Sequence, residues 1–448
     1  MKKEKKRKFG LLMSIAMIVG VVIGSGIFFK ADDILVQTHG NVKMGCLVLF
    51  LGAVGIIFGG ITISEWAKLT DDAGGLITYA EKAFGKAFAF LLGWFQTTVY
   101  FPALVAIVSF VASNYTVALF PKLAFGHFGV WVISLVYLIV IYLMNVYSNH
   151  ISELFQTSAM FIKLIPLVLI AICGLFFGDV HMISTHAITL PVVLSSTGAI
   201  VAVAFSYDGW AVAPSIGHEI KNSKRNLPLA LIISPLIIFT VYIGYFVGIS
   251  LLLGPSDIMK MGDLAVYAAA EKLFGYIGQR LMLVTVIISV LGTLNGLVVA
   301  NIRVPYFLAL RQELPYSHKI SQVNTRFKLS IWSTVISFIM VLVWLSIHFM
   351  SINLPSMRQF GIDISAIPIV IMYLFYGLLY VGVMIRTCKG LIKNKITGLV
   401  CPILAIAGAL MILYGGLTAS NGMIYLIVSF LILVSGISLY WMRHLHKS

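Results

Sequence analysis

The chain has 448 residues, 60% of them hydrophobic and only 10% charged, with a mean hydropathy of +1.01. Those values exclude an ordinary soluble domain and imply a polytopic membrane protein. The net charge of +15 reads as a topological excess of Lys and Arg rather than a nucleic-acid footprint. The four cysteines, Cys46, Cys173, Cys388 and Cys401, lie in or beside apolar runs without C-x-x-C spacing, so no disulfide, metal site or cofactor is expected.

Crossing ~30 Å of hydrocarbon takes ~20 apolar residues. Twelve stretches meet that length: 11–37, 42–67, 87–114, 127–147, 152–178, 191–217, 229–253, 278–310, 329–349, 358–386, 396–416 and 420–441. The first is too long for a cleavable signal and lacks a small-residue cleavage pattern. The loops are too short for a soluble domain. With the N-terminus placed in the cytoplasm, 22 Lys and Arg fall on the inner side and seven on the outer side. Basic residues favour the cytoplasmic side, so both termini are expected there.

The first span contains Ile23-Gly24-Ser25-Gly26-Ile27-Phe28. Glycine weakens a helix and tolerates non-helical torsions, so Gly24-Ser25-Gly26 is the expected place for this span to open. An opened helix within a membrane leaves backbone groups that need a polar cavity or ligand. Freed N–H groups suit a carboxylate and freed carbonyls suit an ammonium. A free amino acid carries both.

The fifth span carries Lys163 near its middle. A midspan ammonium costs at least ~3 kcal/mol on insertion scales, so it must face carbonyls or water inside the bundle. The alternative is a purely structural cation holding helices together. Span six reads Ala204-Phe205-Ser206-Tyr207-Asp208-Gly209-Trp210, with Pro214 following. Ser206, Asp208 and Gly209 are poor helix formers, which makes this a second opening. It lies five spans after the first, so the two segments cross in opposite directions. Paired broken helices in oppositely oriented halves mark an inverted-repeat transporter with a midplane site. The alternative is that both are small-residue packing faces. Asp208 reads either as a local cap for loose N–H groups or as a partner for a cationic substrate. Glu65 and Glu219 read as local pairing or capping residues, and Tyr100, Tyr207 and Trp210 as packing residues.

Phe205-Ser-Tyr-Asp-Gly-Trp, followed by Glu219-Ile-Lys-Asn-Ser-Lys-Arg-Asn-Leu-Pro228, closely resembles the sixth-span motif of L-type amino acid transporters. These belong to the amino acid–polyamine–organocation superfamily. Ile23–Phe28 resembles their first span. Gly74-Gly75-Leu-Ile-Thr-Tyr79 resembles the loop after span two, and Leu291-Gly-Thr-Leu-Asn-Gly296, Arg303 and Leu314-Pro315 resemble span eight and its exit. The likeness runs along nearly the whole chain. It departs at Asp71-Asp72-Ala73, where the family commonly has Pro-Lys-Ser/Thr, and at Asn222-Ser223, usually Asn-Pro. Ser206 replaces a common alanine.

The resemblance implies an all-α leucine-transporter fold of twelve transmembrane helices with 5+5 inverted repeats. A tail at 1–10 precedes the first repeat at 11–178. The second repeat spans 191–386, the last two spans 396–441 and a second tail 442–448. It implies sodium-independent exchange of neutral L-amino acids, small and serine-, threonine- or alanine-like, by alternating access. In that reading the substrate carboxylate rests at Gly24, Ser25 and Gly26. Its ammonium meets carbonyls near Ile23, Phe205 and Ser206, with Gly209 in the second break. Phe205 closes the outer side, and Lys163 stands where coupled relatives hold sodium. Eukaryotic relatives join a heavy chain through a cysteine between spans three and four. Residues 115–126 contain none, so no obligate heavy-chain partner is expected.

Two alternatives share the scaffold: a proton-coupled symporter and a non-transporting amino acid sensor. An enzyme would need a metal cluster or a nucleophile–base constellation, and an ATP-driven pump a G-x-x-x-x-G-K-[ST] loop. The sequence offers neither.

Overall fold

Long apolar runs dictate helices, because a helix satisfies its backbone internally where no water is at hand. A computed structural model describes residues 10–70, 74–124, 128–183, 197–210, 212–215, 217, 220–355, 366–418 and 422–445. The first apolar run forms two helices, α1 (Leu11–Val22) and α2 (Ser25–Gln37), separated at Ile23 and Gly24. Then come α3 (Val42–Leu69), the short α4 (Leu76–Phe84) and α5 (Lys86–Leu119), which contains a π-helical turn at Gln96–Tyr100. Next are α6 (Gly129–Tyr147), α7 (Asn149–Phe177), α8 (Thr197–Tyr207) and the single turn α9 (Val212–Ser215). The remaining elements are α10 (Ser223–Leu253), α11 (Pro255–Met261), α12 (Ala265–Leu310), α13 (Ser317–Ile320), α14 (Ile331–Asn353), α15 (Ala366–Cys388), α16 (Ile396–Thr418) and α17 (Gly422–Leu445).

Among the described residues, nine helices are long and apolar enough to cross a membrane. Residues 191–196 of the sixth expected span and 356–365 around the tenth lie outside the described residues, as do Asp71-Asp72-Ala73 and Glu219. The eighth expected span is longer than the hydropathy suggests. α12 extends back to Ala265, with one non-helical residue, Gly275 at φ +67°, marking a kink.

The core that positions the site consists of α1, α2, α8 and α10 against α7 and α12. Polar side chains tie this packing together. Asn145 of α6 donates to Asn295 Oδ1 of α12 (2.8 Å), and Ser152 of α7 donates to Asn145 Oδ1 (2.8 Å). Asn295 Nδ2 donates to Gln156 Oε1 (3.0 Å). These side chains are buried, and a buried polar group is tolerable when its partners are supplied. The π turn of α5 has a similar economy: the Thr98 carbonyl accepts from Trp344 Nε1 at 2.7 Å.

Two ion pairs and a cation–π contact lie where α3 and α12 end. Glu65 pairs with Lys68 at 2.6 Å, in line with its reading as a local partner. Arg311 Nε lies 3.1 Å from Glu81 Oε2, and its Nη2 donates to Thr78 Oγ1 at 2.7 Å. That clamp holds the start of α4, the quoted Gly74–Tyr79 segment, against the exit of α12. Arg386 sits 4.9 Å over the Trp66 ring and also donates to the Lys82 carbonyl.

Candidate functional site

The first break is narrower than the three-residue opening expected from the sequence. Ile23 is extended (φ −73°, ψ 99°), and Gly24 (φ −161°, ψ −127°) caps α2. Ser25 and Gly26 already belong to the first turn of α2. The glycines serve close approach more than torsional freedom. A Cβ on Gly24 would lie 1.8 Å from Thr293 Oγ1 of α12, and one on Gly26 would lie 2.7 Å from Ser206 Cα and 2.8 Å from Ser206 O. Either side chain would force helices apart.

The second break follows Tyr207. The Asp208 N–H folds back to the Phe205 carbonyl (3.1 Å), and the Val212 N–H to that of Gly209 (3.1 Å). Gly209 has φ +102°, a region that L side chains avoid. A Cβ there would also lie 2.8 Å from Val21 Cγ1 of α1. The two breaks therefore touch twice, Gly26 on Ser206 and Val21 on Gly209.

Ser206 is fully buried, and its hydroxyl donates to the Ala202 carbonyl one turn back (2.9 Å). That hydroxyl is thus engaged within its own helix. The Ser206 carbonyl meets Tyr242 of α10, whose Oη lies 2.8 Å from Ser206 O and 2.9 Å from Val22 O. One phenol is thus shared between the last carbonyl of α1 and the end of α8. Sequence reasoning missed Tyr242, because a tyrosine in an apolar span has no local spacing that marks it.

Lys163 is completely buried in α7. Its Nζ donates to the Gly20 carbonyl of α1 (2.5 Å) and to Thr293 Oγ1 of α12 (3.3 Å). Thr293 is the same residue that Gly24 presses upon, so the ammonium, the first break and α12 meet at one point. Gln156, two turns before Lys163, lies close enough to α1 that a Cβ on Gly20 would be 3.0 Å from its Nε2.

Asp208 is buried, and its Oδ2 accepts from Tyr100 Oη of the π turn at 2.6 Å. Tyr100 was expected to serve packing alone; it also ties α5 to the second break. The Trp210 ring lies 4.9 Å from that of Tyr376, which carries the aromatic layer onto α15. Phe205, at the end of α8, is 7% exposed.

The sequence profile of the amino acid permease family matches residues 9–441. The chain belongs to the amino acid permease family. The permease is 32% identical over 442 residues to the serine/threonine exchanger SteT of Bacillus subtilis, covering 97% of this chain and 96% of that one. It is 29% identical over 327 residues to the human Asc-type amino acid transporter 1, covering 69% of this chain and 60% of the human one. It is 26% identical over 325 residues to the human cystine/glutamate transporter, where 70% and 63% are covered. The permease is a multi-pass membrane protein by family and by its apolar helices.

Proposed function

We propose that this permease exchanges small neutral L-amino acids across a bacterial plasma membrane without sodium, with both termini in the cytoplasm. Amino acid transport follows from family membership and from the full-length similarity to an exchanger. The observation that carries the finer reading is the direct contact of two broken helices, with Tyr242 bridging them and Lys163 fixed between α1 and α12. Pairs of discontinuous helices of this kind form substrate sites near the membrane midplane. No bond is made or broken in such a cycle.

In this reading α1 and α2 together form span one, α8 and α9 span six, and the chain has twelve spans with residues 11–178 and 191–386 as inverted repeats. The substrate carboxylate docks on the N–H groups at Gly24, Ser25 and Gly26, which open α2. A helix start offers unpaired donors and a positive dipole end. The substrate ammonium faces the carbonyls near Ile23, Phe205 and Ser206. Gly26 and Ser206 are in backbone contact, so this is the closed arrangement, and substrate entry requires the breaks to part. Lys163 supplies the positive charge that a sodium ion supplies in coupled relatives. Its tether to the Gly20 carbonyl keeps α1 registered against α7 and α12 while α2 moves.

The test is counterflow by purified protein in liposomes with serine, threonine, alanine, leucine, glutamate and lysine, with choline replacing sodium. Small neutral substrates should exchange fully in choline and without a second subunit. A steep sodium requirement, or strict dependence on a partner glycoprotein, overturns this reading. Accumulation driven by an imposed pH gradient alone, without counter-substrate, favours the proton-coupled alternative. Tight binding without counterflow favours the sensor.

A further inference from the structure

Lys30 contributes to the net charge as one outward basic residue among several, yet it is 5% exposed. Lysine is rarely buried this far unless its charge is held. Two holds are visible. Its Nζ lies 3.0 Å from Asp33 Oδ2 on the next turn of α2, and 5.5 Å from the centroid of the Phe205 ring on α8. A cation over an aromatic face is attracted by the ring quadrupole, more strongly when water is excluded. Lys30 stands four residues after Gly26, so both lie on one face of α2. Along that face Gly26 allows backbone contact with Ser206, and one turn farther from the break Lys30 covers Phe205. Asp33 is at the rim, its side chain 46% exposed.

We propose that Lys30 is the latch of the site: its ammonium, seated on the Phe205 ring and tethered to Asp33, holds α2 against α8 in the closed arrangement and lets go each time the lid opens. The device is reversible for a physical reason. Parting α2 from α8 strips the cation from the ring but returns it to water, where hydration replaces what the ring supplied. The proposal rests on Phe205 acting as the lid in the transport reading above, and Lys30 is a positioning residue that acts through Phe205.

The test uses the full chain in liposomes with the four native cysteines replaced by serine and Ala202→Cys as reporter. Ala202 is 8% exposed and lies one turn before Ser206 on α8. A membrane-impermeant maleimide reports lid opening without requiring transport. Lys30→Gln should label at least ~5-fold faster than the reporter alone, while Lys30→Arg stays within ~2-fold because it restores the cation. Phe205→Leu should match Lys30→Gln, and the double variant should label no faster than the faster single one, since the two residues form one contact. In exchange assays Lys30→Gln should lower both the external KM for serine and kcat, with recovery in Lys30→Arg.

Labelling of Lys30→Gln at the reporter rate, or multiplication of the two effects, overturns the latch. If Lys30→Gln is not recovered as monodisperse protein, Phe205→Leu decides alone, because leucine keeps the apolar bulk and removes the ring face. Its labelling at the reporter rate likewise overturns the proposal. A parent that shows the labelling pattern but no counterflow breaks the transport reading and leaves the latch standing. A parent that exchanges, with no effect of Lys30→Gln on labelling, breaks the latch alone.

Discussion

At the first break no residue has a positive φ, and the helix opens where Gly24 and Gly26 let Thr293 and Ser206 come within contact distance. At the second break Gly209 sits at φ +102°, and the chain turns because only glycine adopts that region at low cost. The first opening is therefore imposed by its neighbours and the second is written into its own backbone. Their partners differ in the same way. The first is held by groups from three other helices: Lys163 on Gly20 O, Tyr242 on Val22 O and Thr293 against Gly24. Local returns from Asp208 to Phe205 and from Val212 to Gly209 shape the second, with Tyr100 and Tyr242 added from outside. A break imposed from outside can be undone by moving its neighbours. The first break is thus the better candidate for the moving part of the cycle, and the second for the fixed one.

The sharpest way to break that comparison is Gly26→Val. A β-branched side chain cannot fit against the Ser206 backbone, and it crowds the turn where the carboxylate is expected to dock. Exchange should fall to background while membrane insertion and yield stay near the parent. Normal counterflow by this variant removes the proposed site.

Lys163→Ala comes next. It leaves the Gly20 carbonyl and the Thr293 hydroxyl without their cation in a dry interior, at about 1–3 kcal/mol per unsatisfied group. That corresponds to roughly a tenfold change for each 1.4 kcal/mol. Because the contact lies beside the substrate turn and not within it, turnover should fall further than binding affinity. Substrate binding measured by thermal shift, alongside exchange in choline, separates the two. Full exchange by the variant means Lys163 is only a structural cation.

Phe205→Ala should impair exchange more than it impairs folding, and Phe205→Trp should be tolerated better. The lid needs aromatic bulk to keep water from the occupied site, so equal behaviour of the two variants removes the lid assignment.

The smallest effect expected is that of Tyr242→Phe, which keeps the ring packed on Tyr207 (centroids 5.1 Å apart) and removes only the shared hydroxyl. The hydroxyl's shared contact with the Val22 and Ser206 carbonyls is lost, about 1–2 kcal/mol net, so a thermal-stability loss of a few degrees is expected with a modest fall in exchange. If the first break depends on its neighbours, Tyr242→Phe should also raise hydrogen exchange at Ile23–Gly26 more than at Tyr207–Trp210. Equal change at both breaks removes the asymmetry.

Much of this was legible in the chain itself. Periodic apolar runs made helices inevitable because lipid offers no alternative for the backbone. Gly26 and Gly209 were visible as anomalies in otherwise lipid-length runs, Lys163 as a charge that had to face inward, and Phe205 only through the family resemblance. Glu65 could be read as a local partner because Lys68 follows three residues later, on the same helix face. Torsion and local pairing are properties of a few adjacent residues, so a sequence displays them.

What the sequence left undetermined required residues far apart in the chain. The break's narrowing to Ile23 and Gly24, the turn of the Ser206 hydroxyl into its own helix, and the bridge by Tyr242 depend on which helices lie side by side. So do the Tyr100–Asp208 hydrogen bond and the burial of Lys30 on Phe205. A tyrosine or lysine in a span reads the same whether it packs, caps or latches; only the tertiary structure supplies the partner, and in a medium without water the partner decides what a polar side chain does.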